Sequence, residues 1–314
     1  MLKGLALFFS AAMLAGAACA QPALKMMIPA NPGGGWDQAG RNLAAAMQSA
    51  KLVSAVQFEN KGGAAGSIGL AQFVGSSKGD PNAVMMGGIT MIGGTILGNT
   101  PPLSGQVTPI ARLTYDWEVI VVPANSPHKT MADLVKAFKE NPGKVAWGGG
   151  SAGGTDHILI GLIAKAVGAD PAKVNYVAFK GGGEAVAAII GGHVTAGVSG
   201  LGEFIEHIKS GKMRAMAVSS PKGSDGIPSL KEGGIDVELG NWRGIFAAPG
   251  ISREQRDSLI KLVKAATDTP AWKASLQKFD WVPAYLPGDE YRRFIDDETT
   301  RVRDVLTSLG VKKN

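Results

Sequence analysis

The chain has a single cysteine, Cys19, and so nothing for it to pair with. A disulfide scaffold is excluded, and so is a cysteine-based zinc site. The four histidines, His128, His157, His193 and His207, stand isolated and form no HExxH pair, so no metal site and no cofactor is expected. After the N-terminus no stretch approaches the roughly 18 consecutive apolar residues of a membrane helix. Lys and Arg number 32 against 26 Asp and Glu, a formal charge of +6, yet they form no run and no basic-aromatic cluster. Nucleic acid is therefore not an expected partner. The field favours anionic solutes only modestly.

What is present begins with an address. Lys3 supplies a positive start, Leu5 to Ala18 an apolar core, and Ala18-Cys19-Ala20 a small-residue cleavage site, the pattern of a secretory signal peptide over residues 1–20. Gly16 stands where a lipoprotein signal needs a branched residue, so the expected product is a soluble exported protein starting at Gln21. Cleavage of 20 residues from 314 leaves 294 without cysteine, and the loss of Lys3 lowers the charge to +5. A chain of that length has material for two cores.

Glycine is abundant, 44 residues, about twice the usual share of roughly 7%. The glycines cluster in short groups between apolar segments. Strand Leu24 to Ile28 leads through Pro32-Gly33-Gly34-Gly35-Trp36-Asp37 into a helix to Ser49. Strand Ala55 to Glu59 leads through Asn60 to Ser67 into a helix, and strand Ala83 to Met86 through Gly87-Gly88-Ile89-Thr90 into another. The grammar returns after Lys144, with loops at 148–155, 179–183 and 199–202. Strand, glycine turn and helix in repetition indicate parallel sheets covered by helices. Glu118 to Pro123, a β-rich run without its own helix, and Arg243 to Ala248 read as crossings. The expected fold is therefore two doubly wound α/β domains joined by two crossing strands, residues 21–121 plus 248–314 and residues 122–247. A capping box at Ser252 and Gln255, a helix start at Thr269-Pro270 and a last helix from Asp289 to Leu309 should pack back on the first domain.

In such folds ligands sit at the carboxyl ends of the strands, where glycine turns let N–H groups approach and helix N-termini add partial positive charge. Two matches compete with an anion-site reading. Gly148 to Gly153 fits G-x-G-x-x-G with Asp170 downstream, but chance matches are easy in a glycine-rich chain and an exported protein meets little nicotinamide cofactor. Gly149-Gly150-Ser151-Ala152-Gly153 fits G-x-S-x-G, which makes a secreted serine hydrolase using Ser151 the enzyme alternative. Only His157, His193 and His207 follow, and none lies in the last hundred residues, where such a triad usually ends. Ser151 therefore reads better as a hydroxyl donor. Thr90, Ser151, Thr155 and Ser199 each sit at a strand's carboxyl end; a hydroxyl there is ordinarily a cap, and its recurrence points to binding. Lys180, before three glycines, is a candidate partner for a carboxylate. Trp36 fits a cleft wall or a core equally, and Asp37 fits a helix-start carboxylate or a contact to the second domain.

These motifs, in this order, resemble a known family. Ile28-Pro29-Ala30-Asn31-Pro32-Gly33-Gly34-Gly35-Trp36-Asp37, Glu59 to Gly69, Gly148 to His157, Tyr176 to Ala185, Gly191-Gly192-His193-Val194 and Trp242-Arg243-Gly244 before Ala248-Pro249-Gly250 are similar to the periplasmic receptor component of the tripartite tricarboxylate transporter family. The resemblance implies a periplasmic binding protein of type II, a Venus flytrap, without catalytic activity. It implies a monomer that delivers a small organic carboxylate to a membrane permease of one large and one small subunit. Carried onto this chain, the ligand-binding positions would be Gly34, Gly35, Trp36, Asp37, Gly63, Ala64, Ala65, Gly66, Ser67 and Thr90 on one side, and Ser151, Thr155, Lys180, Gly182 and Ser199 on the other. The Gly-Gly-Gly-Trp-Asp form hints at citrate-like acids. Apart from Lys180 the loops offer no strong cation, which weighs against a fully charged tricarboxylate. A stand-alone sensor domain is a third reading.

Overall fold

The computed structural model describes residues 22–179 and 182–311. The expected signal peptide and Lys180 lie outside these residues. The first run of elements is β1 (Ala23–Ile28), α1 (Gly35–Ser49), β2 (Ala55–Asn60), α2 (Ser67–Ser76), β3 (Ala83–Gly88), α3 (Ile89–Leu97), α4 (Leu103–Gln106) and the long β4 (Thr108–Pro123). The second run is α5 (Met131–Glu140), β5 (Ala146–Gly149), α6 (Thr155–Val167), β6 (Asn175–Ala178), α7 (Gly182–Ile190), β7 (Ala196–Gly200), α8 (Leu201–Lys209) and β8 (Met213–Val218). The chain returns through β9 (Gly240–Ala247), α9 (Arg253–Thr267), α10 (Pro270–Lys278), β10 (Val282–Pro287) and α11 (Gly288–Ser308).

β1 pairs parallel with β2 and β3, and β5 pairs parallel with β6 and β7. These two parallel sets are stitched together by antiparallel pairing. β4 runs along β9 with Thr108 to Trp117 and along β7 and β8 with Glu118 to Pro123. β9 in turn pairs with β3. One strand thus belongs to both halves, and its change of partner at residues 117–118 is where the halves meet. The carboxyl ends of β1, β2 and β3 open toward the same gap as those of β5 and β7.

The elements follow from local chemistry. In β3 every residue is buried, so the run Ala83 to Gly88 shows no alternation. α1 turns Ala39, Leu43, Ala46 and Met47 inward at helical spacing. α11 buries Tyr291, Ile295, Val302, Val305 and Leu306; full burial of such side chains is worth about 1.5–3 kcal/mol each as an upper bound.

Several expectations are corrected. The crossing strand is 16 residues rather than six, because Thr108 to Trp117 also pairs with β9 and with β10. It does have a helix after it: α5, started by a Thr130–Asp133 capping box. The last helix packs beyond the first set of elements, since Leu309 at its end lies where a Cβ on Gly161 of α6 would be, 2.7 Å from Leu309 Cδ1. One large core holds residues of both halves, and a smaller one joins Val119, Val121, Ile189, Phe204, Met213 and Val218.

Candidate functional site

A cavity of about 180 Å³ lies where the strand ends of the two halves face each other. Its first wall comes from the loops after β1, β2 and β3, with Pro29, Ala30, Asn31, Gly35, Trp36 and Thr90 among its residues. The loops themselves contribute no ionisable side chain there, and the Arg243 guanidinium reaches this wall from β9, packed against Gly35. The polarity of the loops resides in the backbone. α1 and α2 start at Gly34 and Gly66, neither with a side-chain cap, so their first N–H groups are not taken by a local hydroxyl or carboxylate. The turn before α2 is unusual. Gly63, Ala64, Ala65 and Gly66 all have positive φ, of 120°, 48°, 53° and 89°. A left-handed alanine costs about 1 kcal/mol or more, and two in succession mark a backbone held in place by its surroundings, with the Gly66 N–H closing the turn on Gly63 O at 3.0 Å.

Asp37 does not reach this cavity. It is buried 5% exposed, accepts Gly33 N–H at 3.0 Å and Asn60 Nδ2 at 3.0 Å, and is paired with Arg41 Nε at 2.9 Å. Burial pushes its pKa up, but the bonds from Arg41, Gly33 and Asn60 outweigh that and hold it below the usual carboxylate range. Its role is to tie the glycine turn to α1 and β2. Trp36 is core and wall at once. It lines the cavity, and a Cβ on Gly66 would come within 2.8 Å of its Cζ3 and one on Gly88 within 3.1 Å of its Nε1.

The opposing wall is different in kind. The loop after β5 uses its own helix to hold itself: Gly150 N–H donates to Asp156 Oδ2 at 2.6 Å, Gly153 N–H to His157 Nδ1 at 3.1 Å, and Tyr176 Oη to Gly150 O at 2.9 Å. Burial lowers the His157 pKa to about 4, so it is neutral, and its ring stacks on Tyr176 with centroids 4.3 Å apart. That geometry makes His157 an acceptor for the loop. Among the described residues no histidine is hydrogen-bonded to Ser151, so the G-x-S-x-G match does not come with an assembled base. The G-x-G-x-x-G match fares likewise, because two of its N–H groups are already taken by Asp156 and His157.

Charge enters from two helix starts and a strand rather than from the loops. Asp156, Glu203 and Arg243 line the cavity, with Asn241 and Ser199 between them. Arg243 is 1% exposed and donates through Nη2 to Asp116 Oδ2 at 2.5 Å; Glu203 Oε1 is 4.0 Å from the same nitrogen. Burial raises the carboxyls of Asp116, Asp156 and Glu203, the last to about 7, against the pull of Arg243 on Asp116 and Glu203. Glu118 is raised well above its ordinary value by burial and then by the Asp156 charge. Its Oε1 accepts from Asn241 Nδ2 at 2.9 Å, while its Oε2 is buried without a hydrogen-bond partner among the described residues. A buried carboxyl that keeps its proton avoids a second charge in a dry site.

Of the residues expected from sequence, Gly35, Trp36, Gly63, Ala65, Gly66, Thr90, Ser151, Thr155 and Ser199 line this cavity. Ala64 and Ser67 line an adjoining chamber of about 700 Å³ that shares Asn31, Gly63, Ser151 and Phe179 with it. Gly34 is the N-cap of α1, Gly182 starts α7, and Asp37 faces away as described. The hydroxyls of Thr90 and Thr155 lie 3.1 Å apart and connect the two walls, and Ser199 Oγ donates to Glu203. None of the helix starts at Gly88, Gly154 or Gly200 has a cap from its own N-cap residue, and the Thr155 N–H that opens α6 reaches Thr90 Oγ1 across the walls at 3.5 Å. Sequence reasoning missed Asn31, Asp116, Glu118, Asp156, Phe179, Glu203 and Asn241, and it read Arg243 only as the start of a crossing strand. The expectation of no strong cation besides Lys180 is corrected by Arg243, which a β-strand rather than a loop delivers to the cavity.

Two α/β halves sharing strands around one such cleft define the periplasmic binding protein fold of type II. The profile of the tripartite tricarboxylate transporter family receptor matches residues 40–311, and the chain belongs to that family. The protein BugT of Bordetella pertussis is 26% identical over 297 residues, 92% of this chain and 90% of that protein. A protein encoded in the gbd 5' region of Cupriavidus necator is 30% identical over 197 residues, 62% of this chain and 59% of that protein. A TctC solute-binding protein from Polaromonas superposes with a TM-score of 0.68 at 26% identity, covering 91% of this chain and 98% of that one. The periplasmic binding protein BugD shares the fold with a TM-score of 0.80 at 21% identity, covering 94% and 99%. MatC of Rhodopseudomonas palustris, solved with bound malate, does so with 0.77 at 20%, covering 91% and 99%.

Proposed function

We propose that the protein is an exported receptor without turnover that captures a small di- or tricarboxylate in this cleft and hands it to a tripartite membrane permease. The observation that carries this reading is the first wall: two glycine-capped helix starts and four consecutive residues of positive φ converge on a cavity where the loops supply no ionisable side chain and the one charged group against Gly35 is the Arg243 guanidinium. Backbone N–H groups and helix N-termini are a built anion site, and they neutralise an acid without a charged residue. The Thr90 and Thr155 hydroxyls already meet across the walls at 3.1 Å; a carboxylate bound beside them would hold the two halves in this closed arrangement, and closure is the event a permease would read. The family's receptor role and the malate held by a fold neighbour support the class of ligand. In this reading residues 1–20 direct export and are removed, and residues 21–121 plus 248–314 move against 122–247.

The test is a melting-temperature screen with citrate, malate, succinate, adipate, benzoate, aspartate, glucose and spermidine. An acid at a hundredfold excess over its dissociation constant adds about 2.7 kcal/mol of stability and a clear upward shift. A shift with one or more of the acids is the expected outcome. A shift with the sugar or the polyamine alone would overturn the reading. Ester turnover that disappears in Ser151→Ala would overturn the non-enzymatic part.

A further inference from the structure

Beside Gly35 of the first glycine loop the cleft contains a pair whose hydrogen-bonding needs are complementary. Arg243 lines the cavity, is 1% exposed, and spends Nη2 on Asp116, while its Nη1 has no hydrogen-bond partner among the described residues. A buried guanidinium N–H without an acceptor is costly, and it calls for an oxygen. Glu203 stands beside it, Oε1 at 4.0 Å from Arg243 Nη2, with its side chain 21% exposed toward the cavity. Glu203 already accepts from Ser199, so a further carboxylate next to it must bring a proton. A carboxylic acid group satisfies both, because it offers one accepting oxygen and one O–H. An ammonium group would suit Glu203 and leave Arg243 Nη1 unserved.

We propose that Arg243 and Glu203 form a second subsite, which takes the far carboxyl group of a dicarboxylate together with one proton. Arg243 Nη1 donates to one oxygen, and Glu203 shares the proton with the other. This rests on the reading that the glycine loops hold the near carboxylate. The groups facing Glu203 are Asp116 and Glu118 from β4, Asp156 from α6, Arg243 from β9 and Ser199 from β7, with Asp280 acting on Asp116 from the turn before β10. Three carboxyls and one guanidinium leave the environment short of positive charge, which is why burial and its neighbours hold Glu203 up to about 7. The proton comes from solvent and no covalent bond changes.

The experiment is calorimetric titration of the mature protein with succinate and with butyrate, in buffers of different ionisation enthalpy between pH 6 and 8.5. The expected result is uptake of close to one proton per succinate at pH 8, falling toward none at pH 6, and a succinate affinity that weakens up to tenfold per pH unit above about 7. Butyrate should show neither effect. Glu203→Gln, whose amide donates without titrating, should bind succinate with no proton uptake and no pH dependence. Arg243→Lys keeps a cation against Asp116 and should lose at least tenfold for succinate with butyrate unchanged. Succinate binding without proton uptake, or uptake that persists in Glu203→Gln, would overturn the subsite while leaving the near-carboxylate reading intact. Aspartate that binds more tightly than succinate, and increasingly so with pH, would overturn it in favour of an ammonium site. Failure of every carboxylate, butyrate included, would overturn the near site and the subsite together.

Discussion

The two walls of the cleft handle polarity in opposite ways. The loops of the first supply glycine caps, left-handed alanines and no ionisable side chain of their own; the second gathers buried carboxyls around one guanidinium that reaches across to Gly35. Helices that start away from the cleft follow a third habit. α5, α9 and α10 are closed by the side chains of Thr130, Ser252 and Thr269. The helix starts at the cleft have glycine N-caps on both sides, but only on the first wall is the space beyond them free of competing carboxylates. The lesson is a division of labour: a backbone wall can hold any small acid, and a charged wall can choose among them.

The largest effect should come from the charged wall. Arg243→Met strips Asp116 of its partner, and breaking a buried pair costs about 3–5 kcal/mol. Urea unfolding should show that loss, and adding Asp116→Asn should recover a good part of it. Full loss without recovery would mean the pair is not the unit of stability. The next effect has the opposite sign. Glu203 has a folded pKa of about 7, above its unfolded value near 4.5, so the protein is penalised as pH rises through that window. Glu203→Gln should therefore raise stability by about 1–3 kcal/mol at pH 8 and by nothing near pH 4.5, read as a melting temperature that crosses that of the parent.

The contact between the walls comes next. A Cβ on Gly93 of α3 would lie 1.9 Å from Gly153 O, so Gly93→Ala forces the walls apart. The clash is with backbone and no rotamer change relieves it, so the substitution should cost about 1–3 kcal/mol in urea unfolding and lower ligand affinity at least about tenfold. The smallest effect belongs to the backbone wall's brace. Asp37→Asn should cost about 1–2 kcal/mol, since the Arg41 partner is half exposed and its contribution is screened. Because the Asp37 pKa is depressed, that difference should be complete at pH 7 and vanish as the pH falls below the ordinary carboxylate value.

The backbone wall was legible in the sequence because the geometry demands glycine, and Gly33-Gly34-Gly35 and Gly62-Gly63 announce it. Strand–turn–helix order also placed Thr90, Ser151, Thr155 and Ser199 at the right end of their strands. The charged wall was hidden by its location. Asp116 and Glu118 sit two apart on one face of β4, inside a run that otherwise reads as apolar, and Arg243 sits in the strand beside it. Two carboxylates at strand spacing with an arginine far along the chain was the available signal, and only the pairing of β4 with β9 joins them. The start of β4 and β10 were missed because their β character is interrupted by Pro109, Arg112, Pro283 and Pro287 and is stabilised by tertiary pairing. α5 had a visible start in Thr130 and Asp133 and could have been read.

The most direct test of the account is a crystal structure of the mature protein with succinate at neutral pH. The account predicts one carboxylate against the backbone of Gly35–Trp36 and Gly63–Gly66, and the other between Arg243 and Glu203. A succinate bound outside this cleft, or one whose carboxylates both avoid the glycine turns, would contradict it.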